Sequence, residues 1–206
     1  HPHVYILSDE IYSRQIFDGK EMPTFFNYPD LQDRLIVLDG WSKAYSMTGW
    51  RMGWSVWPEK LIPHVTKLAI NSFSCVNAPS QFAGIAALDG PDDSIHHMME
   101  KFDQRRKLIH KGLNDLPGVT CSMPGGAFYA ICRLPIDSGD KFCQWMLEEF
   151  NLDGDTVMMA PASGFYSTPG AGEDEVRLAY VLDIPVLEKA IACIRRALEL
   201  YPGRTT

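Results

Sequence analysis

"LIVLDGWSKAYSMTGWRMGW", residues 35–54, opens with four consecutive apolar residues and turns polar at Asp39-Gly40. A short unbroken apolar run suits a strand buried on both faces, as in a parallel sheet with helices on either side. Val4-Tyr5-Ile6-Leu7, ending at Ser8-Asp9-Glu10, repeats the pattern. Such sheets carry their chemistry at the carboxyl ends of the strands. Asp9 and Lys43 both fall just beyond such an end, and Arg51 follows the lysine by eight residues. Met52 to Trp57 is expected to be the next strand, stopped by Pro58.

From Pro58 onward the period becomes helical, with Leu61, Val65, Leu68 and Ala69 on one face. A second helical segment opens at Pro79-Ser80 and closes at Gly90-Pro91, where the Gly-Pro-Asp-Asp stretch is the expected domain boundary. This divides the chain into residues 1–90 and 91–206. A long amphipathic helix follows, with Ile95, Met98, Met99, Phe102, Ile109 and Leu113 inward, Asp93 or Ser94 as cap and Pro117-Gly118 as stop. The two methionines are expected to fill core. Strands are then expected near Val119–Ser122, Ala127–Cys132, Val157–Ala160 and Val176–Leu182, with helices near Lys141–Phe150 and from Asp183-Ile184-Pro185 onward.

The chain of 206 residues, 46% hydrophobic and 22% charged, has the composition of a globular protein. Its net charge of -7 argues against nucleic acid or an anionic membrane as partner, since phosphate binding needs a basic face. No run approaches the roughly 18 apolar residues needed to span a bilayer. The five cysteines are widely spaced and form no C-x-x-C, so neither a disulfide framework nor a metal site is expected, and a cytoplasmic location fits best. The start "HPHVYILSDEIY" has neither an initiator Met nor a signal pattern and reads as a cut inside a longer protein.

An acid after one strand, a lysine after another and an arginine beyond it form a chemically suggestive set. A lysine amine can form a Schiff base with an aldehyde. Pyridoxal phosphate needs such a lysine, a carboxylate to keep its ring nitrogen protonated, and cations for its phosphate. Lys43, Asp9 and Arg51 supply one of each.

"SDEIY" followed by "SKAYSMTGWRMGW", with "NAPSQFAGIAAL", Arg105-Arg106, "PGGAFY" and "EVRLAYVL" in order behind them, resembles the class I/II aminotransferases of the aspartate aminotransferase superfamily. The resemblance implies an α/β fold: the carboxyl-terminal part of a fold-type I pyridoxal phosphate domain with a mostly parallel sheet, then a small α+β domain. It implies that Lys43 holds the cofactor as a Schiff base and moves the substrate proton. Asp9 would pair with the ring nitrogen, Tyr12 would donate to the phenolic oxygen, and Arg51, assisted by Ser42, would bind phosphate. Arg177 would grip the substrate carboxylate with two parallel hydrogen bonds. Trp41, Trp50 and Trp54 are expected to pack around the site, and the histidines receive no role.

The activity implied is transamination between an L-amino acid, aspartate or a similar small one, and a 2-oxo acid such as 2-oxoglutarate, by a homodimer. A C-S β-lyase, an aminocyclopropane carboxylate synthase relative and the sensor domain of a transcription regulator are the alternatives. Two departures stand out. Many relatives place a hydroxyl residue three before the lysine, where this chain has Gly40, and no Lys or Arg occurs from Leu68 to Glu100, a region that supplies a dicarboxylate-binding arginine in some relatives. The family's first half, with its phosphate loop, ring-stacking aromatic and asparagine, is expected to lie outside this sequence.

Overall fold

The computed structural model describes residues 1–205. They form two compact units, His1–Met99 and Glu100–Thr206. The division falls within a long helix and not at the Gly90-Pro91 turn. The first residues of that helix belong with the first unit: Ile95 is buried, and the Met98 sulfur accepts the Ser46 hydroxyl at 3.1 Å.

The first unit holds a three-stranded sheet in the order β1 (Ile6–Asp9), β2 (Leu35–Gly40), β3 (Gly53–Val56). β1 runs parallel to β2, with Asp9 opposite Leu38, and β3 runs antiparallel to it, with Gly53 opposite Gly40. The local sheet is therefore mixed. Only single helical turns, α1 (Trp41–Ala44) and a 3-10 turn at Thr48–Trp50, separate β2 from β3. A parallel return needs a longer crossover, usually over a helix. Double-sided burial holds for the central strand alone: Leu35, Ile36 and Val37 are buried, whereas Leu7 on β1 is 60% exposed and every residue of β3 is exposed. Helices α2 (Ile62–Ser72) and α3 (Ala78–Asp89) follow, the latter capped by Asn77, whose side chain accepts the Ser80 N–H at 2.9 Å.

Helix α4 (Asp93–Asn114) leads into the second unit. There an antiparallel sheet has the order β4 (Thr120–Cys121), β5 (Tyr129–Arg133), β7 (Glu175–Ala179), β6 (Ala160–Pro161). α5 (Gly139–Glu148) and α6 (Ile184–Leu200) complete the unit. Alternation along the strands is strict: Ala130, Cys132, Val176 and Leu178 join Leu113, Phe142, Met146 and Ile194 in one core. Tyr129, Ile131, Arg133, Glu175 and Arg177 occupy the alternate positions and so stand on the opposite face. The strand expected over Val157–Ala160 is instead the two-residue Ala160–Pro161, paired with Arg177 and Val176. Asp183 precedes α6 without a side-chain cap bond, since its carboxylate is taken by Arg105 at 2.5 Å.

Candidate functional site

Sheet register gathers the first unit's candidate residues at one end. β1 and β2 are parallel, so Asp9 and the α1 turn bearing Lys43 both lie at carboxyl ends. β3 is antiparallel to β2, so Arg51, two residues before Gly53, comes to that same end. Arg51 adopts a left-handed backbone, φ 55°, uncommon for a residue with a side chain, as the chain turns back into β3. The Lys43 Nζ lies over the Tyr12 ring, 5.8 Å from its centroid. Ser42 is half-buried on α1 beside the lysine. One Asp9 oxygen accepts the Ile11 N–H at 3.2 Å, and the residue is exposed. Arg51 donates to the Thr48 carbonyl at 3.1 Å and, among the described residues, pairs with no carboxylate.

The adjacent acids divide between structural and available. Glu10 is buried and accepts from the Ser8 hydroxyl at 3.1 Å and the Phe25 N–H at 3.2 Å, so it ties down the following loop. Asp39 accepts the Gly40 N–H at 2.6 Å and the Ser13 hydroxyl at 3.1 Å. Burial raises the Asp39 pKa, those hydrogen bonds lower it, and the nearby charges of Glu10 and Asp9 push it up again. Asp9, Glu10 and Asp39 thus lie at the same end of the strands as Lys43 and Arg51.

Gly40 explains the missing hydroxyl. A Cβ there would stand 2.9 Å from both the Gly53 Cα and the Met52 carbonyl oxygen. The close passage of β2 against β3 leaves room only for glycine.

A short loop braces the lysine turn. Gln15, 1% exposed, donates to the Lys43 carbonyl at 3.0 Å, Ser13 bonds Asp39, and Arg14 donates to the Tyr45 hydroxyl at 3.0 Å while pairing with Asp92. Met98, expected in the core, instead presents its sulfur to Ser46 and Gln15. α3 braces from another side: the Trp41 indole donates to the Gly84 carbonyl at 3.1 Å, and Ser80 donates to the Trp50 carbonyl at 3.2 Å. Of the three tryptophans expected to pack around the site, Trp50, at the end of the Thr48–Trp50 turn, is 45% exposed, and Trp54, on the edge strand β3, is 40% exposed. None of these braces is visible as a motif, since each joins residues far apart in sequence.

Arg177, in the second unit, sits on β7 opposite Ile131 and Ala160. Its guanidinium lies 4.5 Å from the Tyr129 ring centroid and 4.7 Å from that of Phe165. Among the described residues it has no carboxylate partner. A guanidinium held between two rings is oriented and partly desolvated yet unneutralised, which suits it to receive an anion. Beside it a cavity of about 480 Å³ is lined by Tyr129, Ile131, Arg133, Tyr166 and Glu175, with Thr120 and Ser122 from the β4 edge. Tyr129 closes the PGGAFY stretch, which pointed to the family and not to this role, and Phe165 carries no signal in the sequence. The buried Arg106 also went unassigned: it donates to Asp103 at 3.0 Å and 2.5 Å and to the Pro124 carbonyl at 2.8 Å, fixing the Pro124-Gly125-Gly126 turn to α4.

The first unit is thus an α/β element with a lysine, acids and a cation at its strand ends, joined in one chain to an antiparallel α+β unit that cages an arginine. Residues 1–194 match the family model for class I and II aminotransferases, and the chain belongs to that family. It is 35% identical over 204 residues to an aspartate aminotransferase of Geobacillus stearothermophilus, an alignment covering 95% of this chain and 49% of that protein. Among solved structures it is similar to the aspartate aminotransferase of Rhizobium meliloti, with a TM-score of 0.83 and 32% identity over 96% of this chain and 50% of that one. An aromatic aminotransferase from Pyrococcus horikoshii gives 0.84 and 31% identity over 95% and 51%. The chain therefore spans about half the length of these relatives.

Proposed function

We propose that this chain supplies the lysine-bearing part of a pyridoxal phosphate-dependent aminotransferase, which moves an amino group between an L-amino acid, aspartate or a similar small one, and a 2-oxo acid such as 2-oxoglutarate. The observation that carries the reading is the sheet register, which brings Asp9, Lys43 and Arg51 to one end of β1, β2 and β3. The residues fit the cofactor by charge: a carboxylate for a protonated ring nitrogen, a primary amine for an aldehyde, and a guanidinium for a phosphate. When bound, pyridoxal phosphate supplies the aldehyde and an electron-withdrawing ring. Lys43 Nζ would hold it and, once freed by the substrate amine, would move the proton between the substrate α-carbon and the cofactor's aldehyde-derived carbon. Asp9 keeps the ring nitrogen protonated, and Tyr12, whose ring lies under the lysine amine, donates to the phenolic oxygen. Arg51, with Ser42, holds the phosphate. Arg177, set between Tyr129 and Phe165, receives the substrate carboxylate.

The named relatives are aminotransferases, which favours transamination over the β-lyase, synthase and sensor readings. In this reading the intact protein works as a cytoplasmic homodimer. Among the described residues no helix is long and apolar enough to cross a membrane. Borohydride reduction of the intact, cofactor-loaded protein followed by peptide mapping tests the central assignment. A pyridoxyl label is expected on Lys43, and a label on another lysine overturns the reading.

A further inference from the structure

All five cysteines are free thiols, Cys75 exposed and the other four buried. Cys121 on β4 and Cys132 on β5 are direct cross-strand partners. Antiparallel partners are of two kinds. The closer kind, with Cα atoms about 4.5 Å apart, is the pair whose backbone groups do not bond one another. Cys121 belongs to it: its N–H donates to Asn114 Oδ1 at 3.0 Å, and its carbonyl accepts from Asn114 Nδ2 at 2.9 Å, so both groups face away from β5. Cys132 agrees, because Leu134, two residues on, donates toward the other side, to the Asp174 carbonyl at 2.9 Å. Both side chains stand on the core face, 3% and 0% exposed.

A disulfide needs Cα atoms about 4.4–6.8 Å apart, a range that includes the close antiparallel pair. A hydrogen bond between the two thiols lowers the Cys121 pKa, and that bond together with burial raises that of Cys132. Cys121 lies on the edge strand and Cys132 on β5, flanked by β4 and β7, so an opening at the edge exposes Cys121 first: it is the nucleophile and Cys132 the resolving thiol. β4 is a two-residue edge strand held on its outer side by one asparagine side chain, so a small local opening admits a reagent.

We propose that Cys121 and Cys132 form a reversible oxidation site that closes to a cross-strand disulfide when a peroxide reaches the edge of the second unit's sheet. The Cys121 thiolate attacks one peroxide oxygen, the O–O bond breaks, and hydroxide leaves and is protonated to water. The Cys132 sulfur then attacks the resulting sulfenic sulfur, the S–S bond forms, the S–O bond breaks, and a second water leaves. Two thiols are oxidised and one peroxide is reduced to two waters. The bridge ties β4 to the strand carrying Tyr129, one of the two rings around Arg177.

The test uses the intact folded protein, treated with hydrogen peroxide until Cys75, the exposed internal control, has reacted, then alkylated and digested with trypsin. Cys121 and Cys132 fall on one tryptic peptide, Gly112 to Arg133. It is expected to be two hydrogens lighter, to carry no alkyl group, and to accept two alkyl groups after reduction with dithiothreitol. Two alkyl groups before reduction, or oxygens added to the separate sulfurs, with Cys75 fully oxidised, overturns the proposal. In Cys132→Ser the two-hydrogen loss should vanish and Cys121 should gain oxygen instead; a loss that persists also overturns it. The measurement on the unaltered protein stands whether or not that variant folds.

Discussion

Replacing Arg177 with lysine keeps the charge and removes the shape. The guanidinium carbon lies 4.5 and 4.7 Å from two ring centroids, so its position is set before a carboxylate arrives. A two-point grip consists of two charge-assisted hydrogen bonds, each worth about 1.5–3 kcal/mol, of which an ammonium retains one. Lost stacking adds about 0.5–1 kcal/mol for each exposed ring contact, part of which a lysine recovers. The net loss is about 2–4 kcal/mol, or roughly 30- to 1000-fold in kcat/KM. Steady-state kinetics of the intact protein with aspartate and 2-oxoglutarate should show that fall while cofactor absorbance is unchanged, since Arg177 is assigned to substrate. Tyr129→Leu removes one ring only and should cost about 2- to 5-fold. Should Arg177→Lys turn over within about 3-fold of the parent, less than the smallest loss of one bond, the carboxylate role belongs to another residue. A Tyr129→Leu loss larger than that of Arg177→Lys would show that the rings do more than orient the guanidinium.

Restoring the hydroxyl by Gly40→Ser should destabilise the protein by about 1–3 kcal/mol, seen as a lower urea midpoint, because the new Cβ meets backbone atoms at 2.9 Å; an unchanged midpoint would mean that β2 and β3 separate readily. Arg106→Leu leaves the Pro124 carbonyl without its buried donor and Asp103 with Lys107 alone, and should cost about 1–3 kcal/mol by the same measurement. Stability should also fall on acidification. The Asp103 carboxyl is held below its usual range first by Lys107 and then, against the opposing effect of burial, by Arg106. Asp137 is held low first by the Tyr201 hydroxyl and then by Lys141. For such depressed groups the stabilisation is complete above the unfolded carboxylate value of about 4 and disappears as pH falls through the lower folded value. Urea midpoints between pH 6 and 2.5 should therefore decline, less steeply in Asp137→Asn; an identical slope in that variant would remove Asp137 from the account.

Much of the fold was legible because burial period and turn chemistry are local. The long α4 helix follows from its apolar spacing, α3 from the segment between Pro79-Ser80 and Gly90-Pro91, and β5 and β7 from the strand-like runs near Ala127–Cys132 and Val176–Leu182. Asp9, Lys43 and Arg51 were legible as a set because each lies next to a strand end or turn. Strand direction was not legible: the run before β3 looks the same whichever way the strand lies, and the Gly40–Gly53 approach that makes it antiparallel is a contact between strands. Nor was the mixed burial of β1 and β3, which depends on what covers a strand and not on its own residues. The rings that cage Arg177 come from β5 and from a turn near β6, and the amide beneath the Lys43 turn comes from a loop 28 residues earlier. Pairings of that kind carry no period along the chain, because the distance that matters is through space; the sequence names the reactive groups, and packing fixes which way they face and what holds them.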